Sequence, residues 1–253
     1  MVGASVMERT QGFLLAGRVR HDQPASGFRT GLEPVFLAAS IPARPDEWVL
    51  EAGSGSGAAL LCLAERITGV HGIGIERNAD MARLARDNAL ANRQPRLGFV
   101  AADVATLPLG RRFDHAFANP PYFLSPGTRP SSPARDRAKH GDRGLLGIWV
   151  TALADRLRHR GTLSVVLPPA HLPACMDAMT SAGCAVASVF PLWRGLFRDA
   201  GLVIVRGVRG GRMPMTLDAG LVLHQPDGRF TPAADAVLSG GMALHAAAAT
   251  QSA

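Results

Sequence analysis

The sequence has 253 residues, 47% hydrophobic and 19% charged, a balance that excludes a disordered chain and fits one large α/β domain or two small ones. Lysine and arginine total 27 against 20 acidic residues, a formal charge of +7, and every cation but Lys139 is arginine, which points to a phosphate-bearing partner or to a GC-rich coding bias. No uncharged stretch reaches the ~20 apolar residues of a membrane span, no apolar leader surrounds Glu8 and Arg9, and the three cysteines lack metal or disulfide spacing, so the expectation is a cytoplasmic protein with no membrane partner and no metal.

Strands and helices alternate from Trp48 onward. Trp48–Ala52 reads as a short apolar strand running into Gly53-Ser-Gly-Ser-Gly57, and Ala58–Arg66 as the helix after it. Val70–Ile75 is the next strand, followed by a helix over Ala79–Asn92 with Met81, Leu84 and Ala85 on one face. Strands are expected at Leu97–Ala101, Phe113–Ala118 and Gly161–Leu167, and helices at Leu145–Leu157 and His171–Ser181. Ala185–Phe190 and Gly201–Val208 have no helix between them and form an antiparallel pair. Ser125–Arg143, rich in Pro, Ser and Arg, reads as an irregular loop. The alternation predicts a doubly wound α/β fold with ligands at the C-terminal ends of its parallel strands.

The glycine turn at the end of the first strand lets backbone N–H groups approach a ligand at a helix N-terminus. Gly53, Gly55 and Ala58 also satisfy a dinucleotide pattern, with Glu76 near the ribose-binding distance, so the turn alone leaves the ligand open. Glu51, two residues before Gly53, suits an ammonium and would repel a pyrophosphate. Asp103, after the third strand, suits an adenine amine. Three carboxylates at three successive strand ends fit S-adenosylmethionine.

The fourth strand runs directly into Asn119-Pro120-Pro121-Tyr122. Proline fixes φ and removes donors, so this turn presents oxygen acceptors. The Asn119 side-chain oxygen and the Pro120 carbonyl accept both hydrogens of one planar NH₂ group, and Tyr122 offers a face for a flat acceptor. The pattern predicts methylation of an exocyclic or amide nitrogen, driven by alignment and electrostatics rather than by a strong base.

These residues resemble a class I S-adenosylmethionine-dependent methyltransferase, and within that class the tRNA1(Val) adenine-N6 methyltransferase family. Gly17-Arg-Val-Arg-His-Asp-Gln-Pro24 with Gly27-Phe-Arg-Thr-Gly31, and Leu221-Val-Leu-His with Asp227-Gly-Arg-Phe-Thr-Pro232, are similar to that family's N-terminal element and terminal segment. Glu51, Phe28 and Glu33 stand where the family usually has Asp, Tyr and Asp.

The resemblance implies a Rossmann-like fold: a mostly parallel seven-stranded sheet, helices on both faces and an antiparallel last hairpin. It divides the chain into a cofactor and substrate cover (1–47), a methyltransferase core (48–210) and a C-terminal extension (211–240), and the alanine run ending in Gln251-Ser-Ala253 reads as a disordered tail (241–253). The resemblance also implies S-adenosylmethionine held by Gln23, Phe28, Arg29, Glu51, Gly53, Gly55, Gly57, Glu76, Asp103 and Asn119. Asn119, Pro120, Pro121 and Tyr122 would clasp an adenine of tRNA near the anticodon.

The inferred topology puts Arg18, Arg20, Arg129, Arg135, Arg137, Lys139, Arg143, Arg194 and Arg198 on the catalytic side as phosphate contacts. It leaves Arg156, Arg158, Arg160, Arg206, Arg209 and Arg212 near the opposite side, attributed to coding bias or solubility. Asn-Pro-Pro motifs also serve N5-glutamine methylation of proteins and guanine-N2 methylation of ribosomal RNA. The oligomeric state stays open, a monomer being the simpler expectation.

Overall fold

The computed structural model describes residues 7–26, 29–107, 109–121 and 134–251, with 134–143 described as main chain alone. Four short strands come first: β1 (Arg9–Thr10), β2 (Phe13–Leu14), β3 (Val19–Arg20) and β4 (Gln23–Pro24), paired antiparallel as β1–β4 and β2–β3. Then follow α1 (Glu33–Ser40), β5 (Trp48–Ala52), α2 (Ala58–Arg66), β6 (His71–Glu76), α3 (Ala79–Ala91), β7 (Leu97–Ala101) and β8 (Phe113–Ala118). The second half holds α4 (Ala134–Ala154), β9 (Leu157–Leu167), α5 (Leu172–Ser181), β10 (Cys184–Trp193) and β11 (Ala200–Arg209). It closes with β12 (Thr216–Leu217), β13 (Leu221–Val222), α6 (Pro232–Leu238) and α7 (Leu244–Thr250).

The main sheet runs β12-β10-β11-β9-β8-β5-β6-β7, with β13 also paired to β10. Neighbours from β9 to β7 are parallel, and β11 is antiparallel to both β9 and β10. The doubly wound α/β fold is therefore present with its last hairpin antiparallel. Seven long strands form its body, and the two-residue strands β12 and β13 extend the β10 edge.

The pleat sorts each parallel strand between two cores, as a sheet covered on both faces requires. Val49 joins a cluster with α1, α2, α6 and α7, while Leu50 and Ala52 join one with α4 and α5. The chain leaves β5 toward β6 and β7, then returns to β8 on the other side. That reversal makes the C-terminal ends of β5 and β8 the switch point where open α/β sheets hold ligands.

Four expectations change. Helix α4 begins at Ala134, so the second half of the segment expected as a loop is helical main chain: after Pro133 no helix breaker but glycine follows. Strand β9 begins at Leu157, four residues early, because exposed Arg158–Arg160 carry no apolar signal. The region expected as a disordered tail forms α7, whose Leu244 and Ala247 are buried one helical turn apart. Helix α1 was not anticipated: Val35–Ser40 are all buried, so it lacks the one-sided period by which helices are read.

Among the described residues no helix is long and apolar enough to cross a membrane, and no three His, Cys, Asp or Glu side chains gather into a metal site. Cys62, Cys175 and Cys184 are separate buried thiols.

Candidate active site

The register of the sheet assembles the site. Ala52 on β5 pairs with Ala118 on β8 and with Ile75 on β6, and Glu76 pairs with Ala101 on β7. Gly53 and Asn119 therefore leave the sheet side by side, ~5 Å apart across one strand spacing. Glu76 and Asp103 emerge at the next two strand ends.

The glycine turn is tied down by its neighbours. Gly53 and Ser54 N–H groups donate to the Ile75 carbonyl at 2.8 and 3.0 Å, and Gly57 N–H to the Ser54 carbonyl at 2.8 Å. Gly53 sits at φ +67°, and a Cβ there would overlap the Trp149 ring at 2.5 Å. A Cβ on Gly55, at φ +53°, would meet only the Met81 methyl at 4.0 Å, so that side of the turn faces open space.

Glu76 braces the turn with both oxygens: Oε2 accepts from Gly55 N–H at 3.0 Å and Oε1 from Asn78 N–H at 2.8 Å. Each carboxylate oxygen has a second acceptor direction left for a ligand hydroxyl. Asp103 is exposed and spends Oδ1 on the Ala105 N–H at 2.8 Å.

Glu51 is 4% exposed, and its Oε2 has no partner among the described residues. Burial pushes its carboxyl well above the usual carboxylate range; the Leu60 main-chain N–H opposes that shift and Glu76 adds to it. Ser54 Oγ, in the turn itself, is also buried and unpartnered. Buried polar atoms are normally satisfied, so two at one turn mark a place where something polar is missing.

The N-terminal segment is clamped over this turn. His21 is fully buried, with Nε2 2.8 Å from Ser56 Oγ and Nδ1 unpartnered among the described residues. Burial lowers its pKa to about 4, against a smaller opposing pull from Asp22. Asn88 on α3 accepts from Asp22 N–H at 3.0 Å and donates to the Asp22 and Ser56 carbonyls, both at 2.9 Å. Asn92 brackets Arg20 in the same way. Gln23 Oε1 accepts from Thr30 N–H at 2.8 Å, and Arg29 reaches Thr10 Oγ1 at 3.4 Å.

His21 falls inside the N-terminal element quoted above, but nothing in the sequence assigns a partner to its side chain, to Ser56 or to Asn88. Asn88 did leave a signal, a polar residue on the buried stripe set by Met81, Leu84 and Ala85.

Asn119 is half-buried, Pro120 buried and Pro121 exposed. Tyr122, Phe28 and Arg129 lie outside the described residues. Arg135, Arg137, Lys139 and Arg143 lie along the first half of α4, their side chains outside the described set. Arg194 and Arg198 are exposed in the β10–β11 hairpin, at the same end of the sheet as Asn119.

Arg20 is exposed but forked onto Asp22, at 3.1 and 3.0 Å. Arg18 points elsewhere. It donates to the Leu15 and Ser239 carbonyls and lies 4.0 Å from Glu65 in the last turn of α2, the end remote from the glycine turn.

A family model described as a methyltransferase domain matches residues 49–130. The chain is 30% identical over 233 residues to a tRNA1(Val) (adenine(37)-N6)-methyltransferase of Aeromonas hydrophila, covering 89% of this chain and 94% of that one. It is 33% identical over 155 residues to the Edwardsiella ictaluri protein of the same name, covering 59% of this chain and 61% of the relative's length. Among solved structures, a predicted O-methyltransferase from Agrobacterium tumefaciens superposes with a TM-score of 0.67 at 24% identity, over 83% of this chain and 96% of that one. That likeness shows the fold.

Proposed function

The chain belongs to the tRNA1(Val) (adenine(37)-N6)-methyltransferase family, and from that premise we propose that it transfers a methyl group from S-adenosylmethionine to the exocyclic N6 amine of an adenine in tRNA, near the anticodon. One observation carries the reading most directly. The Ala52–Ala118 register sets the glycine turn, with its unpartnered Glu51, next to Asn119-Pro120-Pro121 at the switch point of the sheet.

The residues present fit the cofactor. Glu51 lacks a donor that an ammonium would supply, Glu76 keeps acceptor directions for ribose hydroxyls, and Asp103 keeps Oδ2 for an adenine amine. Gly53, Gly55 and Gly57 let the main chain come close, and Gln23 and Arg29 of the cover segment are assigned to the cofactor with them. When bound, the cofactor supplies an electrophilic methyl on a sulfonium.

The chain's own residues do the rest. Asn119 Oδ1 and the Pro120 carbonyl accept the two hydrogens of the target amine, which orients its lone pair and stabilises the positive charge it gains. Tyr122 supplies stacking for a base withdrawn from its loop. The proton leaves to water after transfer, so no general base is required.

Residues 1–47 act as the cover, 48–210 as the core and 211–240 as an extension that braces the last hairpin. Arg20, Arg194, Arg198 and the basic first half of α4 form the rim that meets RNA phosphates.

The test is Asn119→Ala with labelled cofactor and unmodified tRNA. Methyl transfer is expected to vanish while cofactor affinity stays within a few-fold; undiminished turnover overturns the assignment. Nucleoside mass spectrometry of tRNA from cells with and without the gene checks the product, which is N6-methyladenosine missing from one tRNA.

A further inference from the structure

The hairpin between β10 and β11 turns at Gly195–Arg198, where Arg198 N–H donates to the Gly195 carbonyl at 3.1 Å. The third residue of this turn, Phe197, sits at φ +58°. Glycine or asparagine is favoured there, because a Cβ crowds the neighbouring carbonyl in the left-handed region. Phe197 is 97% exposed and Leu196 65% exposed. The ring gains no burial and its backbone is strained, so folding alone favours glycine at this position.

We propose that the Leu196–Phe197 tip is a stacking platform for an unpaired base of the RNA substrate, close to the base admitted at Asn119; this rests on the tRNA reading above. β10 runs parallel to β8 and β9, which puts the hairpin at the Asn119 end of the sheet. Only β9 and β11 separate β10 from β8, a lateral offset of ~10–15 Å at one strand spacing each. A short single-stranded stretch crosses that gap.

The chemistry of the tip favours RNA over a protein. Arg198 follows the ring directly in sequence, and Arg194 precedes the turn with its side chain against Gly201, so the hairpin carries two cations against the single carboxylate of Asp199, a balance suited to a base and its adjoining phosphates. Pro191 and Leu192 are buried and Trp193 is half-buried, so among the described residues of this hairpin Leu196 and Phe197 are the large apolar side chains left exposed. Two such side chains match the size of a base and fall far below a protein interface.

The tip is also held stiff from behind. The Trp193 indole N–H donates to the Ala219 carbonyl at 3.0 Å, and Leu223 N–H to the Trp193 carbonyl at 2.8 Å. β13 lies along β10 at Leu192–Leu221 and Trp193–Val222.

The test compares Phe197→Gly and Phe197→Trp with the wild type. The glycine variant is expected to melt no lower than wild type and to bind S-adenosylmethionine equally well. Its KM for tRNA rises about tenfold, within the range of one lost base–aromatic stack, and the tryptophan variant restores it. Anticodon stem–loops with 2-aminopurine at each loop position in turn read stacking directly: wild type quenches one position besides the target base, and Phe197→Gly loses that quenching while keeping any at the target base. If wild type methylates tRNA but the glycine variant keeps both KM and that quenching, the platform is overturned and the reading above stands. If wild type methylates no tRNA, that reading fails, and the platform stands or falls on the loss of that quenching in Phe197→Gly.

Discussion

The two ends of the parallel sheet differ in which polar groups they pair and which they leave over. At the far end, where the parallel strands begin, arginines close helix C-termini. Arg66 donates to the Ala38 and Ile41 carbonyls at 2.6 and 2.8 Å, and Arg206 to the Ser40 carbonyl, all at the end of α1. Arg209 reaches the Ala182 carbonyl after α5, Arg112 the Asp155 carbonyl after α4, and Arg156 the Leu107 carbonyl. Helix ends leave carbonyls unpaired, and a guanidinium with five donors satisfies several at once. At the Asn119 end, Glu51 Oε2 and Ser54 Oγ stay buried without partners.

At the far end the arginines bond through terminal nitrogens and leave over only the Nε atoms of Arg66, Arg156 and Arg206, whereas at the Asn119 end it is acceptor oxygens beside the glycine turn that lack a partner among the described residues. The arginine surplus therefore divides by task. Arg156, Arg206 and Arg209, first attributed to coding bias or solubility, are structural, and Arg18 joins them.

Substitutions at the two ends should separate stability from binding. The largest effect is expected for Gly53→Ala, which forces a Cβ into the Trp149 ring at a left-handed position. Strain and overlap together should lower stability by about 3 kcal/mol and abolish cofactor binding in titration calorimetry. Retained binding would show that the turn tolerates a side chain.

Acid should act next. His21 is held neutral with a pKa of about 4, below the unfolded value of about 6.5. Protons bind the unfolded chain first, so its contribution is complete above pH 6.5 and is lost as pH falls toward 4. The loss reaches as much as about 3 kcal/mol, and urea midpoints for wild type against His21→Gln should show the steeper fall in wild type.

Arg66→Met removes two bonds at the α1 terminus and should cost about 2 kcal/mol with cofactor affinity unchanged. A binding defect there would blur the division between the ends. Glu51 gives a subtler sign: its carboxyl is raised in the free protein, and a bound ammonium would lower it, so binding should release a proton. Cofactor affinity then rises with pH until the free carboxyl is fully ionised, which calorimetry in two buffers of different ionisation enthalpy detects. The smallest effect belongs to Arg83→Ala, which breaks a 3.1 Å pair with Asp80 on the exposed side of α3. Exposed pairs contribute little, and the variant should melt with the wild type.

Much of this was legible in the sequence where the signal was local. β5, β7 and β8 were bounded correctly because apolar runs meet turn residues on both sides, and the glycine turn and Asn119 follow those strands at once. Register then does what local reading cannot, bringing residues 51, 76, 103 and 119 to one edge. The cover segment and the polar Asn88 were legible, but the pairings that clamp them were not. His21 meets Ser56, and Asp22 meets Asn88, across long separations in sequence, and a buried histidine has no signature in composition. The same holds for the arginines, since nothing in the sequence distinguishes a guanidinium that reaches a helix end from one that reaches solvent.

The C-terminal extension has one more consequence, for association. β10 is a ten-residue outer strand ending in Val189, Phe190 and Leu192, all buried. Left bare, its outer row of N–H and C=O groups would template strand addition from another chain. β12 and β13 occupy that row in two short steps, at Ser188–Val189 and Leu192–Trp193. Each is too short to offer a long new template of its own. Leu217→Pro, which unseats β12 while leaving α6 and α7 in the core, is expected to raise self-association through this edge above that of the wild type in concentration-dependent sedimentation.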